Sequence, residues 1–220
     1  MHELPPRHVP LQVADVGEAT VAALAWLDTG GRGASVIRCA PGTSLPGRLW
    51  RPNAWLEEAS PGIPTGSAVD FGCGSGREAV ALAAGGWQVT GIDRLEDALA
   101  KARDLEVRTL GRSSIAWVCA DTEAEGFAPD APIDLILSFA YLHRPLLSGA
   151  TKWLAPGGHL LVETFTTVHR ERFGKPRTPR FVLEPGELVS VAQGLEVLHH
   201  SEEWREDGRH TARLLAGKSV

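Results

Sequence analysis

Ala68-Val69-Asp70-Phe71-Gly72-Cys73-Gly74-Ser75-Gly76-Arg77 is the stretch that decides the fold. An apolar run ends in three glycines at alternate positions, and a helical segment, Glu78-Ala79-Val80-Ala81-Leu82-Ala83, follows at once. Strand, glycine turn and helix together are the layout of a nucleotide-cofactor loop. The glycines allow a tight turn and let a ligand rest against bare backbone. The unsatisfied amides and the dipole at the helix start then attract a negative group.

A dinucleotide loop reads G-x-G-x-x-G or G-x-G-x-x-A. Gly72 and Gly74 fit that pattern, but Arg77 stands in the third position, where a helix must pack close to the strand. The glycines instead read G-C-G-S-G, with Asp70 two places earlier. This resembles motif I of the class I S-adenosylmethionine methyltransferases. That cofactor ends in an amino acid, with one carboxylate and one ammonium in place of two phosphates. The helix start at Arg77 suits the carboxylate. Asp70 and the loop carbonyls suit the ammonium.

Downstream, Gly85-Gly86 is a helix stop. Trp87-Gln88-Val89-Thr90-Gly91-Ile92-Asp93 then reads as a second strand ending in an acid. Asp93 lies roughly 20 residues past the glycine loop, where a carboxylate can accept both ribose hydroxyls. Nicotinamide enzymes use an acid there too, and the alternative is a helix cap for residues 95–105. Ile115-Ala116-Trp117-Val118-Cys119-Ala120-Asp121 is a third strand ending in an acid, and Ile133-Asp134-Leu135-Ile136-Leu137-Ser138-Phe139 is a fourth. Trp153-Leu154-Ala155-Pro156-Gly157-Gly158-His159-Leu160-Leu161-Val162-Glu163 supplies a Pro-Gly-Gly turn and a fifth strand. Strands rich in Val, Ile and Leu that alternate with helices predict an α/β fold with a buried, mainly parallel sheet. Residues 195–199 and 211–216 read as two more strands, joined by a hairpin near 204–208, which requires an antiparallel pair. The expectation is a Rossmann-like class I methyltransferase fold. It has a seven-stranded, mostly parallel sheet with one antiparallel strand and helices on both faces.

Residues 66–217 are similar to the TehB and thiopurine methyltransferase-like branch of small-molecule methyltransferases. The run from Gly76-Arg77-Glu78-Ala79 into Gly86-Trp87-Gln88-Val89-Thr90 carries the likeness, as does Phe181-Val182-Leu183-Glu184-Pro185-Gly186-Glu187-Leu188. Gly194-Leu195-Glu196-Val197, then Glu203 and Trp204, extend it. The resemblance implies cofactor contacts at Asp70, Gly72, Cys73, Gly74, Gly76, Arg77, Asp93, Arg94, Asp121, Thr122 and Phe139. Asp121 would face the adenine amino group. Fold alone does not settle the acceptor, because one fold hosts many chemistries.

At 220 residues the chain can form one large α/β domain and a short extension. The expected division is an N-terminal extension over residues 1–45 and a methyltransferase domain over residues 46–220. In the extension, residues 16–27 have a helical apolar pattern with Asp15 as N-cap and Gly30-Gly31 as stop, and residues 34–39 read as a strand. Cys39-Ala40-Pro41-Gly42-Thr43-Ser44 faintly resembles a rhodanese cysteine loop, as a remnant or a chance match. The three cysteines, Cys39, Cys73 and Cys119, form no disulfide framework and no C-x-x-C pair. No apolar run approaches a membrane span, and the first residues lack the apolar core of a signal peptide. A net charge of -5 argues against general nucleic-acid binding. The expectation is a cytoplasmic protein with a small-molecule substrate and no membrane or nucleic-acid partner. His199-His200 and His210 have no ligand set beside them, so no metal is expected.

Ligands of an open parallel sheet bind outside the carboxyl ends of its strands, which places residues 139–144 and 164–173 around the methyl group. A methyl on sulfonium is already electrophilic, so alignment and exclusion of water do most of the work. A thiolate or a chalcogen lone pair needs no base, whereas an alcohol or a protonated amine does. His143 and Tyr141 are the catalytic candidates, with His169 behind them. Trp50 could close the pocket. Residues 169–180 carry five cations beside one acid, so His169, Arg172 and Arg177 are predicted to draw in an anionic substrate from a lid. The alternative is a solvated loop. Two other functions remain open at this point: a nicotinamide-dependent oxidoreductase, and a non-catalytic cofactor-binding or partner-binding module.

Overall fold

The computed structural model describes residues 11–15, 18–29, 33–37, 50–124, 127–130 and 132–219. The chain divides between Arg51 and Pro52 into two compact units. In the first unit, β1 (Leu11–Ala14) and β2 (Ala34–Ile37) pair in parallel, with α1 (Glu18–Thr29) between them along the chain. A parallel pair needs such a crossover. The helix starts at Glu18, and residues 16 and 17, between it and Asp15, lie outside the described residues. The strand expected at 34–39 is β2, and Cys39 with the rest of its loop lies outside the described residues.

The second unit runs α2 (Ala54–Ala59), β3 (Ser67–Phe71), α3 (Arg77–Ala84), β4 (Gln88–Asp93), α4 (Glu96–Leu110), β5 (Ala116–Cys119) and β6 (Ile133–Phe139). It continues with α5 (Arg144–Trp153), β7 (Leu154–Phe165), α6 (Thr167–Phe173), α7 (Glu187–Val191), β8 (Glu196–Trp204) and β9 (His210–Gly217). The sheet order is β5-β4-β3-β6-β7-β9-β8. Every pairing is parallel except those of β9, which runs antiparallel to both β7 and β8. This is the seven-stranded Rossmann-like methyltransferase fold that the sequence implies.

The central strands are apolar at nearly every position because helices cover both faces. Leu135, Ile136 and Leu137 are all fully buried. From β3 the connections through α3 and α4 run one way across the sheet, and the later connection through α5 runs the other. Right-handed crossovers therefore place α5 on the face opposite α3 and α4. The main core lies on the α5 face, where Phe71, Ile136, Leu160, Val162 and Leu214 meet Leu146 and Leu147 of α5 and Leu188 of α7. Asp70 alternates with Phe71 along β3, so it projects to the α3 face.

Pro156-Gly157-Gly158 does not turn the chain ahead of the fifth strand. It lies inside β7 as a bulge: Ile133 pairs with Leu154, and the next partners are Leu135 and His159. Gly157 takes the left-handed φ of 76° that the extra residues need.

Trp117 of β5 is the wedge between α3 and α4. Its ring occupies the space a Cβ at Gly76 would fill, at 2.5 Å, and also the space beside Gly91, at 2.4 Å. Its indole N–H donates to Glu106 Oε2 at 2.8 Å. Glu106, only 1% exposed, also accepts the amides of Ser114 and Ile115. Burial alone would raise this carboxyl, but those hydrogen bonds outweigh it and hold Glu106 below the usual glutamate range. A depressed native value gives stability that is fully present above the unfolded value and is lost as pH falls through the native one. Glu106→Ala is expected to cost about 2–3 kcal/mol near neutrality by stranding these donors. The penalty should shrink in acid, as chemical denaturation of both proteins across that pH range will show.

Candidate functional site

Because the strand order reverses at the β3–β6 pair, the carboxyl ends of these strands open into a crevice. The glycine loop leaves β3 there. A Cβ at Gly72 would lie 2.5 Å from the Tyr141 ring, whereas nothing stands within 4 Å of one at Gly74, where φ is +54°. The bare backbone at Gly74 thus faces open space. The Gly72 and Cys73 amides donate to the Ile92 carbonyl at 2.9 and 3.1 Å, which fastens the loop to β4.

Asp70 is 2% exposed, and its Oδ2 is buried without a hydrogen-bond partner. Burial pushes this carboxyl well above the usual range; the charges of Glu78 and Asp93 add to that, while the Ala79 amide and Arg77 oppose it. Glu78 is itself buried, accepts the Asn53 amide at 3.1 Å and lies 3.6 Å from the Arg77 guanidinium. A buried carboxyl with one idle oxygen and acidic neighbours is a seat for a cation. Asp93 is half-buried at the end of β4. Its Oδ2 accepts the Gly74 amide and its Oδ1 the Leu95 amide, both at 2.9 Å, so it braces the loop.

A cavity of about 280 Å³ adjoins the loop. Of the residues expected at a cofactor, Gly72, Asp93, Arg94, Asp121 and Thr122 line it, together with Tyr141. Asp121 is exposed and its Oδ1 accepts the Glu123 amide at 2.9 Å. Thr122 is buried and shares a 2.6 Å hydrogen bond with the Tyr141 hydroxyl. Ala140 turns at φ 52°, an uncommon conformation for a residue with a Cβ, and this brings Tyr141 over Gly72. Burial pushes the Tyr141 phenol up. Asp70, Gly74, Gly76 and Arg77 belong to the same loop and helix start, and Phe139 is half-buried at the end of β6. Cys73 is buried with its Sγ toward Gly91. Burial, then the charges of Asp70 and Asp93, push its thiol up, the reverse of a reactive thiolate.

His143 immediately precedes α5, and its Nδ1 is buried without a partner. His169 is buried in an aromatic cluster, 4.7 Å from Phe165 and 4.8 Å from Phe173 between ring centres. Its Nδ1 accepts the His210 amide at 3.2 Å, and burial pushes the imidazole down. The Arg172 guanidinium lies 5.4 Å from the Trp204 ring, and Arg177 is exposed. Trp50 is half-buried in the first unit. From the basic segment it is Pro176, with Phe181 just beyond, that reaches the cavity. Within the ranges 139–144 and 169–180 the sequence assigns no separate role to Arg144 or Pro176, nor to Phe181 beyond them; the Arg144 guanidinium ties α5 to Glu187 and to the Val182 carbonyl at 2.9 Å. No local periodicity signals contacts made across such chain separations. Among the described residues, no cluster of three His, Cys, Asp or Glu could hold a metal ion, and no helix is long and apolar enough to cross a membrane.

Residues 68–158 match the family described as "Methyltransferase domain". No curated protein matches the sequence. Among solved structures, the chain is similar to the N-methyltransferase NodS from Bradyrhizobium japonicum in complex with S-adenosyl-L-homocysteine, at 20% identity. The alignment covers 76% of this chain and 85% of that one, with a TM-score of 0.59. TehB from Haemophilus influenzae aligns at 22% identity over 76% of this chain and 62% of that one, with a TM-score of 0.62. The [4+2]-cyclase SpnF aligns at 20% identity over 76% and 79%, with a TM-score of 0.60. At such identities the likeness is one of fold. The domain match over residues 68–158 and the shared fold together liken this part of the chain to a methyltransferase domain.

Proposed function

We propose that the protein transfers a methyl group from S-adenosylmethionine to a small-molecule acceptor: a thiol, a chalcogen oxyanion or another small nucleophile. The observation that carries this reading is the idle, buried Oδ2 of Asp70, on the strand that leads into a glycine loop with open space at Gly74. In this reading Asp70 receives the ammonium of the cofactor's amino-acid tail. The amides at the start of α3, with Arg77, receive its carboxylate. Asp93 and Arg94 take the ribose side, and Asp121 with Thr122 the adenine edge. Gly72, Cys73, Gly76 and Phe139 shape the walls.

When bound, the cofactor supplies an electrophilic methyl on a sulfonium. The chain's own part is to align the acceptor with that methyl and keep water out. Tyr141 is a poor base, because its phenol is pushed up and already shares a hydrogen bond with Thr122; its role is to position. His143 is the candidate base for an acceptor that must lose a proton. His169, Arg172 and Arg177 stand on the acceptor side of this reading, favouring an anionic substrate, and the setting is cytoplasmic. The TehB-like branch is the assignment that fits the chain's motifs best.

Asp70→Asn tests the cofactor reading. A carboxyl raised in the native state holds its proton more tightly folded than unfolded, so it subtracts stability as pH climbs from the ordinary aspartate value through the raised one. The variant should therefore melt higher than the wild type at neutral pH without ligand. It should also lose about 1.5–3 kcal/mol of affinity for S-adenosylhomocysteine, the worth of a charge-assisted hydrogen bond. Thermal shift with and without the ligand reads both effects, and equal binding by the two proteins would refute the ammonium seat.

An acceptor screen that follows S-adenosylhomocysteine release over thiols, chalcogen oxyanions, amines and acids tests the reaction itself. For a thiol acceptor, His143→Ala should leave turnover within about tenfold. For an alcohol it should fall about 10²–10⁴-fold, the usual worth of a general base.

A further inference from the structure

After α6 the chain does not leave the crevice. It passes back over it through Pro176 and a single 3-10 turn, Pro179–Phe181, before entering α7. Pro176 and Phe181 both line the 280 Å³ cavity, on whose wall Glu123 also stands.

Two kinds of fastening hold this segment. Its far end is sewn down. The Leu183 amide donates to the Phe165 carbonyl and the Thr167 amide to the Leu183 carbonyl, both at 2.9 Å. The Arg144 guanidinium forks onto Glu187, meeting its Oε2 at 2.9 Å, and also reaches the carbonyls of Arg180 at 2.7 Å and Val182 at 2.9 Å. The Arg180 side chain at the tip, in contrast, makes one ion pair among the described residues, its Nη1 to Glu123 Oε2 at 3.1 Å, and is 60% exposed. A forked guanidinium with several acceptors fixes geometry, whereas one exposed pair is weak and exchanges readily.

We propose that residues 176–181 are a strap retaining the adenosine part of the cofactor, with Phe181 against the nucleoside. Arg144 is the positioning residue that anchors the strap, and the Arg180–Glu123 pair is a clasp that opens for cofactor exchange. This rests on the cofactor reading above. The Arg180 guanidinium also lies 4.7 Å from the centre of the Phe181 ring, so releasing the clasp frees the ring with it.

The test is stopped-flow release of S-adenosylhomocysteine from the full chain. Arg180→Glu and Glu123→Arg should each speed release about 2- to 5-fold, as expected for loss of one exposed pair. The double variant, which restores the pair with its charges exchanged, should return to the wild-type rate, and added salt should narrow the differences. Arg144→Lys keeps the charge but not the fork, and should raise the cofactor KM without a matching fall in kcat. Phe181→Ala should weaken S-adenosylhomocysteine and 5′-methylthioadenosine by the same factor, because the two share the nucleoside and differ in the amino-acid tail. Single charge variants that release at the wild-type rate, or a double variant that stays fast, would overturn the clasp. Unequal effects of Phe181→Ala on the two ligands, or none, would overturn the strap while leaving the cofactor reading intact. A wild-type protein that binds neither ligand would overturn the cofactor reading itself, and the strap with it.

Discussion

Between β3 and β6 the connections change direction across the sheet, and the site follows from that change. Right-handed crossovers send α3 to one face and α5 to the other, so no helix covers the carboxyl ends of the two strands between them. Asp70 projects to the α3 face from near the end of a strand otherwise made for burial. The carboxyl that results is buried, crowded by Glu78 and Asp93, and short of one hydrogen-bond partner. Such a group is costly to bury without a partner.

The glycine loop above Asp70 is held from several sides before any ligand arrives. Tyr141 packs on Gly72, Asp93 binds the Gly74 amide, and Trp117, itself held by Glu106, closes on Gly76. Each contact needs a different strand end, so the loop's shape reports the order of β3, β4, β5 and β6 in the sheet. A loop braced in this way loses little conformational freedom on binding. The segment over the cavity is built the opposite way, fixed at its α7 end and lightly held at its tip.

Several elements were legible in the chain because local patterning specifies them. The apolar run into Gly72, the acids closing β4 and β5, and the hairpin between β8 and β9 appear close to where the sequence places them. Pro156-Gly157-Gly158 reads as a turn, yet a strand took it in as a bulge, because pairing with β6 resumes at His159 and the Gly157 amide bonds to the Lys218 carbonyl. The basic run at 169–180 presents itself as a field of charge. In the fold, His169 turns into an aromatic cluster, Arg172 lies over Trp204, Arg180 binds Glu123, and the uncharged Pro176, with Phe181 next to the run, meets the cavity.

The amino-acid order alone therefore determined the class of fold, the glycine loop and the acids beside it, because alternation, glycine turns and strand-ending carboxylates are signals carried within a few residues. Only the tertiary structure decided that Asp70 keeps an idle oxygen, that Tyr141 leans on Gly72, and that Arg144 and Arg180 govern the segment bearing Phe181. Those facts join residues tens of positions apart. Whether a side chain is buried, paired or left without a partner depends on which distant groups the sheet brings beside it, and no local pattern records that.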